Sequence, residues 1–330
     1  MNAPSAPPFE DVLSAGGETV RELMDQVDSQ LVEVASAYGG ELERAAGSTL
    51  AAGGKRLRPL LVFICGHDAG SSHRDALARA GAAVELVHMA SLVHDDVLDR
   101  AQRRRGRPTV YAATGRAAAT ATGDFLFSRA FSLLAGSEDG EQIRALSDAC
   151  LALARGELAQ REDAYARALS VERYLYRCEL KTASLFAAAC KLGSLAAGHG
   201  DSSTESLSRY GHKLGLAFQL VDDVLDVAGD VDDTGKQRGS DLLDGTVTLP
   251  LILGRRSDPL LGNLDLRSVN SREDAERICD RIAATDALDE ARSRARELVL
   301  AAKLELSDGL GPRLVELLNL VADRVLDRHS

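Results

Sequence analysis

The chain has 330 residues, with 50 Asp plus Glu against 39 Lys plus Arg and a formal net charge of −11. That length can bury a sizeable core, and the acidic balance disfavours nucleic acid as a partner. Five scattered cysteines (65, 150, 178, 190 and 279) contain no CxxC pair, which fits a reducing, cytoplasmic setting and argues against a disulfide framework or a cysteine zinc site.

Residues 1–8, MNAPSAPP, hold three of the 8 prolines and lack the basic and apolar regions of a signal peptide. They are expected to be a disordered tail, and residues 9–330 a single all-α domain. Between residue 10 and residue 225 only Pro59 and Pro108 occur. That scarcity, with apolar residues at helical spacing, predicts a mainly helical chain. Helices are predicted over 9–38, 40–51, 57–70 and 74–101, with Gly39-Gly40 and Gly53-Gly54 marking junctions. A basic loop follows, Arg103 to Pro108. Helical patterns resume at 114–135, 140–165, 171–198 and 203–227. A Gly- and Asp-rich loop spans Gly229 to Thr246, and 247–263 and 272–328 again read as helical. No apolar run reaches about 18 residues, so no membrane span is expected.

Two of these helices carry the same text. Asp95-Asp96-Val97-Leu98-Asp99 recurs, 127 residues later, as Asp222-Asp223-Val224-Leu225-Asp226. Positions i and i+4 share a helix face, so each copy clusters two or three carboxylates. Like charges at that spacing destabilise a helix, a cost that divalent cations relieve. Oxygen ligands without His or Cys suit Mg²⁺, which binds one or two carboxylates plus substrate phosphates. A pair of solvated acidic turns is the plainer alternative, yet two identical copies after apolar stretches favour one polyanion site facing both helices.

The cations fall nearby. Lys55, Arg56 and Arg58 follow Gly53-Gly54 and precede a helix, where backbone can approach an anion closely. A surface basic turn has the same composition. Arg103, Arg104, Arg105 and Arg107 begin four residues after the first acidic copy. His88 lies two turns before Asp95 on the same face, where a satisfied core histidine is the commoner occurrence. Lys181-Thr182 sits on another helix, and Gln219 shares a face with Asp222 and Asp226.

Taken in order, GGKRLRP (53–59), ELVHMASLVHDDVLD (85–99), RRGRPTV (104–110), GDFLFSRA (123–130), GEL (156–158), KTASLF (181–186), FQLVDDVLD (218–226), GK (235–236) and TLP (248–250) resemble the all-trans polyprenyl diphosphate synthases. The resemblance covers roughly residues 40–260 and is far more specific than one DDxxD. It implies an isoprenoid-synthase-type helical bundle around a deep central cavity, usually a homodimer. It implies head-to-tail condensation of isopentenyl diphosphate with an allylic diphosphate. By position, Asp95, Asp96, Asp99 and Asp222 would hold Mg²⁺, three ions per site with Mn²⁺ able to substitute. Asp223 and Asp226 stand beside Asp222 in the same catalytic set. Arg104, Lys181, Thr182, Gln219 and Lys236 would contact the allylic diphosphate. Gly54, Lys55, Arg58, His88 and Arg105 would hold isopentenyl diphosphate. Release of a lipid-like product implies peripheral membrane contact.

The resemblance also makes the residues four and five places before the first motif part of the pocket floor. Here they are Ser91 and Ala90, both small, which implies a long product of roughly C30–C50. The alternative is a bulky residue such as Phe125 or Phe127 closing the pocket at C20, and more broadly a short-chain geranylgeranyl or farnesyl diphosphate synthase. Two departures stand out. Thr246 occupies the place of a common Lys, and Arg100 that of a common acid. A non-catalytic subunit of a heteromeric synthase is a further alternative, against which stands the retention of all six aspartates.

Overall fold

The computed structural model describes residues 9–136, 140–229, 238–306 and 309–327. Helix α1 (Glu10–Ser36) buries Val20, Leu23, Val27, Leu31 and Val34 along one face. It is interrupted at Gly17, whose φ of 78° costs a glycine little. After α2 (Gly40–Ala51) comes α3 (Leu57–Cys65), in which every residue except Arg58 is buried. This α3 is shorter than the predicted 57–70, because Gly66 ends it.

Helix α4 (Arg74–Leu98) runs through the middle of the bundle and packs against α1, α3, α5 (Val110–Ala135), α6 (Gly140–Glu162) and α8 (Ser184–Ala196). The stretch Ser71–Leu98 is long and apolar enough to cross a membrane, contrary to the expectation from apolar runs. Its apolar window is 72% buried within the protein, so it is a core helix. Between α4 and α5 the basic loop forms a two-residue antiparallel ribbon, Arg103–Arg104 with Arg107–Pro108.

The predicted helix 171–198 is three segments: α7 (Val171–Cys178), a π-helical turn over Glu179–Ala183, and α8. Helix α9 (Asp201–Ala228) then crosses the bundle. It gives Leu207, Tyr210 and Leu214 to the core around α4, and Leu220, Val224 and Val227 to a second apolar cluster. That second cluster is completed by α10 (Ser240–Leu243), α11 (Leu249–Ser257), α12 (Pro259–Gly262), α13 (Arg272–Ala283) and α14 (Ala287–Lys303). Helix α15 (Pro312–Leu326) returns to the first. The single run predicted for 272–328 is therefore three helices. Ser271 caps α13, and Gly311-Pro312 starts α15 with Pro at its first position, where a missing N–H costs nothing. The tail 1–8, and residues 230–237 of the predicted loop, lie outside the described residues.

Candidate active site

Burial along α4 singles out one face. From Leu77 to Val97 most side chains are buried; besides Arg79 and His94, the half-buried ones are His88, Ser91, Leu92 and Asp95. Their spacing places them one above another. On α9, Phe218, Gln219, Asp222, Leu225 and Asp226 repeat the pattern.

In the first acidic copy every carboxylate has a cation. Asp95 lies 3.7 Å from Lys181 Nζ. Asp96 accepts from Arg104 Nε at 2.9 Å, and Asp99 from Arg161 at 2.9 Å. Burial pushes the Asp95 carboxyl up to about 7, against the pull of Lys181 and Arg104. Burial also raises Asp96, against its bond to Arg104.

Lys181 sits on the π turn, and two glycines explain how that turn is held. A Cβ on Gly156 of α6 would lie 2.7 Å from Lys181 N, and one on Gly215 of α9 would lie 2.7 Å from the Ala183 Cα. Both helices can therefore close on the turn only through glycine. This approach brings Glu157, next to Gly156, within 2.5 Å of Lys181 Nζ. Burial disfavours the ammonium, but Asp95 and Glu157 outweigh it and hold Lys181 above the ordinary lysine value. π turns within α-helices are frequent at functional sites.

In the second copy the three aspartates differ. Asp223 is 3% exposed and accepts from Tyr174 Oη at 2.6 Å and from Gln219 Nε2 at 2.7 Å. Burial raises its carboxyl to about 6 in spite of these donors. Gln219 Oε1 in turn accepts from Thr182 at 2.6 Å. Thr182 and Gln219 thus form a chain that fixes Asp223 to the π turn. Asp226 takes the Ser240 hydroxyl at 2.5 Å and the Ser240 and Asp241 backbone N–H groups at 3.1 and 3.2 Å, at the start of α10. Asp222 is half-buried on the open face of α9. The two copies meet electrostatically at Asp244, whose carboxyl is raised by burial and then by Asp99 and Asp226.

The second group of cations lies around Gly53-Gly54. Arg56 donates to the buried Glu85 at 2.8 Å, and Arg105 Nη1 donates to the Gly53 carbonyl. The Arg58 guanidinium lies 4.9 Å from the Phe186 ring centroid, and burial lowers its pKa to about 10. Lys55 is exposed. Burial depresses the His88 imidazole well below its usual value, and Arg58, Arg105, Arg104 and Arg56 add to the effect, so this ring is neutral.

The remaining sequence candidates are placed as follows. Ala90 is fully buried in the core, whereas Ser91 lies on the open face with its hydroxyl on the His88 carbonyl at 2.8 Å. The two are therefore not equivalent. Phe125 is half-buried against the core and packs edge-on on Tyr38, which is 67% exposed; Phe127 packs against His94. Arg100 is exposed at the end of α4. Thr246 N donates to the Asp241 carbonyl in the turn after α10. Lys236 lies outside the described residues. Sequence reasoning did not single out Glu85, Arg161 or Tyr174, nor assign Glu157 a role. Glu157 and Glu85 each stood inside a quoted motif, and for Glu85 an acid in an apolar stretch of helix was the available signal. Nothing in the sequence paired Tyr174 with Asp223.

The donor set fits Mg²⁺. It is all oxygen, and burial lifts the pKa of Asp95, Asp96 and Asp223, a charge penalty that a bound cation would relieve. Among the described residues no three His, Cys, Asp or Glu groups form a ready-made cage.

Residues 40–282 match the family model described as polyprenyl synthetase. Heptaprenyl diphosphate synthase component 2 of Geobacillus stearothermophilus is 41% identical over 68% of this chain and 70% of its own length. Geranylgeranyl diphosphate synthase of Methanosarcina mazei is 40% identical over 64% of this chain and 67% of its own. The crystal structure of a polyprenyl synthase from Caulobacter crescentus CB15, complexed with calcium and isoprenyl diphosphate, superposes with a TM-score of 0.88 at 31% identity, covering 99% of this chain and 100% of that one.

Proposed function

Because this chain belongs to the polyprenyl synthetase family, and is on that ground a trans-prenyltransferase, we propose that it joins isopentenyl diphosphate head to tail to an allylic diphosphate, giving an all-trans polyprenyl diphosphate of roughly C30–C50. One observation carries this reading. The fold gathers two neighbouring groups of charged residues of different chemistry, each suited to an anion. One is lined by paired carboxylates and cations, at Asp95, Asp96, Asp99, Lys181 and Arg104, with Asp222 on α9, close enough for its charge to act on Arg105. The other is built of arginines and a neutral histidine. A reaction that ionises one diphosphate and keeps another intact needs both.

Asp95, Asp96, Asp99 and Asp222 would hold Mg²⁺, which when bound supplies positive charge to the departing pyrophosphate. Lys181 and Arg104 add protein charge at the same leaving group. On the other side Lys55, Arg58 and Arg105 anchor the isopentenyl diphosphate, so that its double bond faces the allylic carbon. The new C–C bond forms as that double bond attacks the allylic cation. A proton then leaves, and the released pyrophosphate is the base, since burial and the surrounding arginines disfavour a protonated His88 and make its ring a poor acceptor. The apolar faces of α4 and α9 keep water from the cation.

The long product rests on Ser91, small and on the open face, and on Phe125 being engaged with Tyr38. Similar proteins are named as geranylgeranyl, heptaprenyl, nonaprenyl and decaprenyl diphosphate synthases. The relative named as component 2 of a heptaprenyl synthase makes a two-subunit assembly the second reading. Purified chain with Mg²⁺, farnesyl diphosphate and labelled isopentenyl diphosphate separates them. Incorporation by the chain alone supports a self-sufficient synthase. No incorporation with geranyl, farnesyl or geranylgeranyl primers contradicts it.

A further inference from the structure

Glu85 is a carboxylate where an acid is least expected. From Ala80 to Val93 it is the sole formally charged side chain of α4, and it is 3% exposed. It stands one helical turn from His88, deep beside a site that must bind an anion. An ionised carboxylate is buried at high cost unless it is paired. The pairing here is specific. Glu85 Oε1 accepts from Arg56 Nη1 at 2.8 Å, and its charge also acts on Arg58 and Arg105. Arg56 reaches it from a left-handed backbone (φ 48°) at the start of α3, an unusual conformation for a side chain of that size. On its other side Arg56 Nε meets Asp28 at 3.1 Å.

Gly54 lies inside this cluster. A Cβ there would be 3.4 Å from Arg56 Nη1, 3.5 Å from Arg105 Nη1 and 3.7 Å from Glu85 Oε1. Arg105, also left-handed (φ 49°), donates back to the Gly53 carbonyl. Two guanidinium groups and a carboxylate thus converge on one glycine, with Arg58 stacked behind on Phe186. Without a negative centre these arginines would repel one another and disperse.

We propose that Glu85 is the positioning residue of the metal-independent diphosphate subsite: its buried charge holds Arg56 in place and draws Arg58 and Arg105 together before substrate arrives. This rests on the proposed function for the identity of the substrate, isopentenyl diphosphate, but not for the anion chemistry. The cost of assembling like charges is met on folding and not on binding, which is preorganisation. Arg56 is the clamp, and Arg58 and Arg105 stand beside it for the ligand.

The sign of the effect makes this testable. As a mere nearby negative charge, Glu85 opposes anion binding, so removing it would tighten binding. As a positioning group, its removal weakens binding. The Glu85→Gln variant keeps the shape and removes the charge. Its KM for isopentenyl diphosphate is expected to rise about tenfold or more, with the allylic KM and kcat at saturation changed less than about twofold. Glu85→Asp should fall between, and it is the variant to read if Glu85→Gln does not fold. Affinity for inorganic pyrophosphate in EDTA should drop in parallel. A lower KM or tighter pyrophosphate binding overturns the proposal. So does a loss of thermal stability with both KM values and pyrophosphate affinity unchanged. If the unmodified chain incorporates no isopentenyl diphosphate, the proposed function fails, and the pyrophosphate measurement alone decides the role of Glu85.

Discussion

Ser91 and Ala90 are adjacent in sequence and small, yet they answer a bulky substitution differently. Ser91→Phe places its ring on the half-open face of α4 and is expected to shorten the product with little change in melting temperature. Ala90→Phe drives a ring into a filled core and is expected to cost about 1–3 kcal/mol, read as a lower denaturant midpoint. An unchanged product distribution in Ser91→Phe would move the floor elsewhere. His88 carries a pH prediction. Its imidazole is depressed by burial and by the surrounding arginines, so the unfolded chain takes up a proton that the folded chain refuses. The stability this contributes is complete above the unfolded value near 6.5 and is lost as pH falls through that value. Between pH 7.5 and 5.5 the native chain should lose about 1 kcal/mol more than His88→Gln, measured by urea unfolding. Equal losses would mean that the ring titrates normally.

At the scale of elements, the π turn that carries Lys181 and Thr182 is the part least legible in the sequence. Periodicity gave one helix over 171–198, because one extra residue in a turn barely disturbs an apolar pattern. The turn is specified from outside, by Gly156 on α6 and Gly215 on α9, where a Cβ would meet its backbone. Gly215→Ala is expected to destabilise by about 1–3 kcal/mol and to lower kcat by shifting Lys181 from its place between Glu157 and Asp95. Stability and kcat both at native values would show that the turn does not need this approach. The acidic copies, by contrast, were legible as a pair because five residues recur unchanged. Their division of labour was not. That Asp226 receives the start of α10, and that Asp223 is closed by Tyr174, depends on partners 14 and 49 residues away.

Over the whole molecule, the all-helical class followed from proline scarcity and helical spacing, and most helix ends fell within a few residues of glycine or proline signals. The central position of α4 was also implicit in its near-unbroken apolar text, which passes the test for a membrane-spanning helix until its burial is known. What the sequence left open was the relation of the basic residues to one another. GGKRLRP and RRG are 45 residues or more apart, and the buried Glu85 between them looks, in sequence, like an acid out of place. The fold makes one cluster of the three.

That cluster and the acidic pair define the central claim, two diphosphate sites distinguished by their need for metal. Equilibrium binding of labelled isopentenyl diphosphate and of a non-reactive allylic diphosphate analogue, each with Mg²⁺ and with EDTA, tests it directly. The account predicts that EDTA abolishes binding of the allylic analogue and leaves isopentenyl diphosphate bound. Loss of both ligands in EDTA, or retention of both, would contradict it.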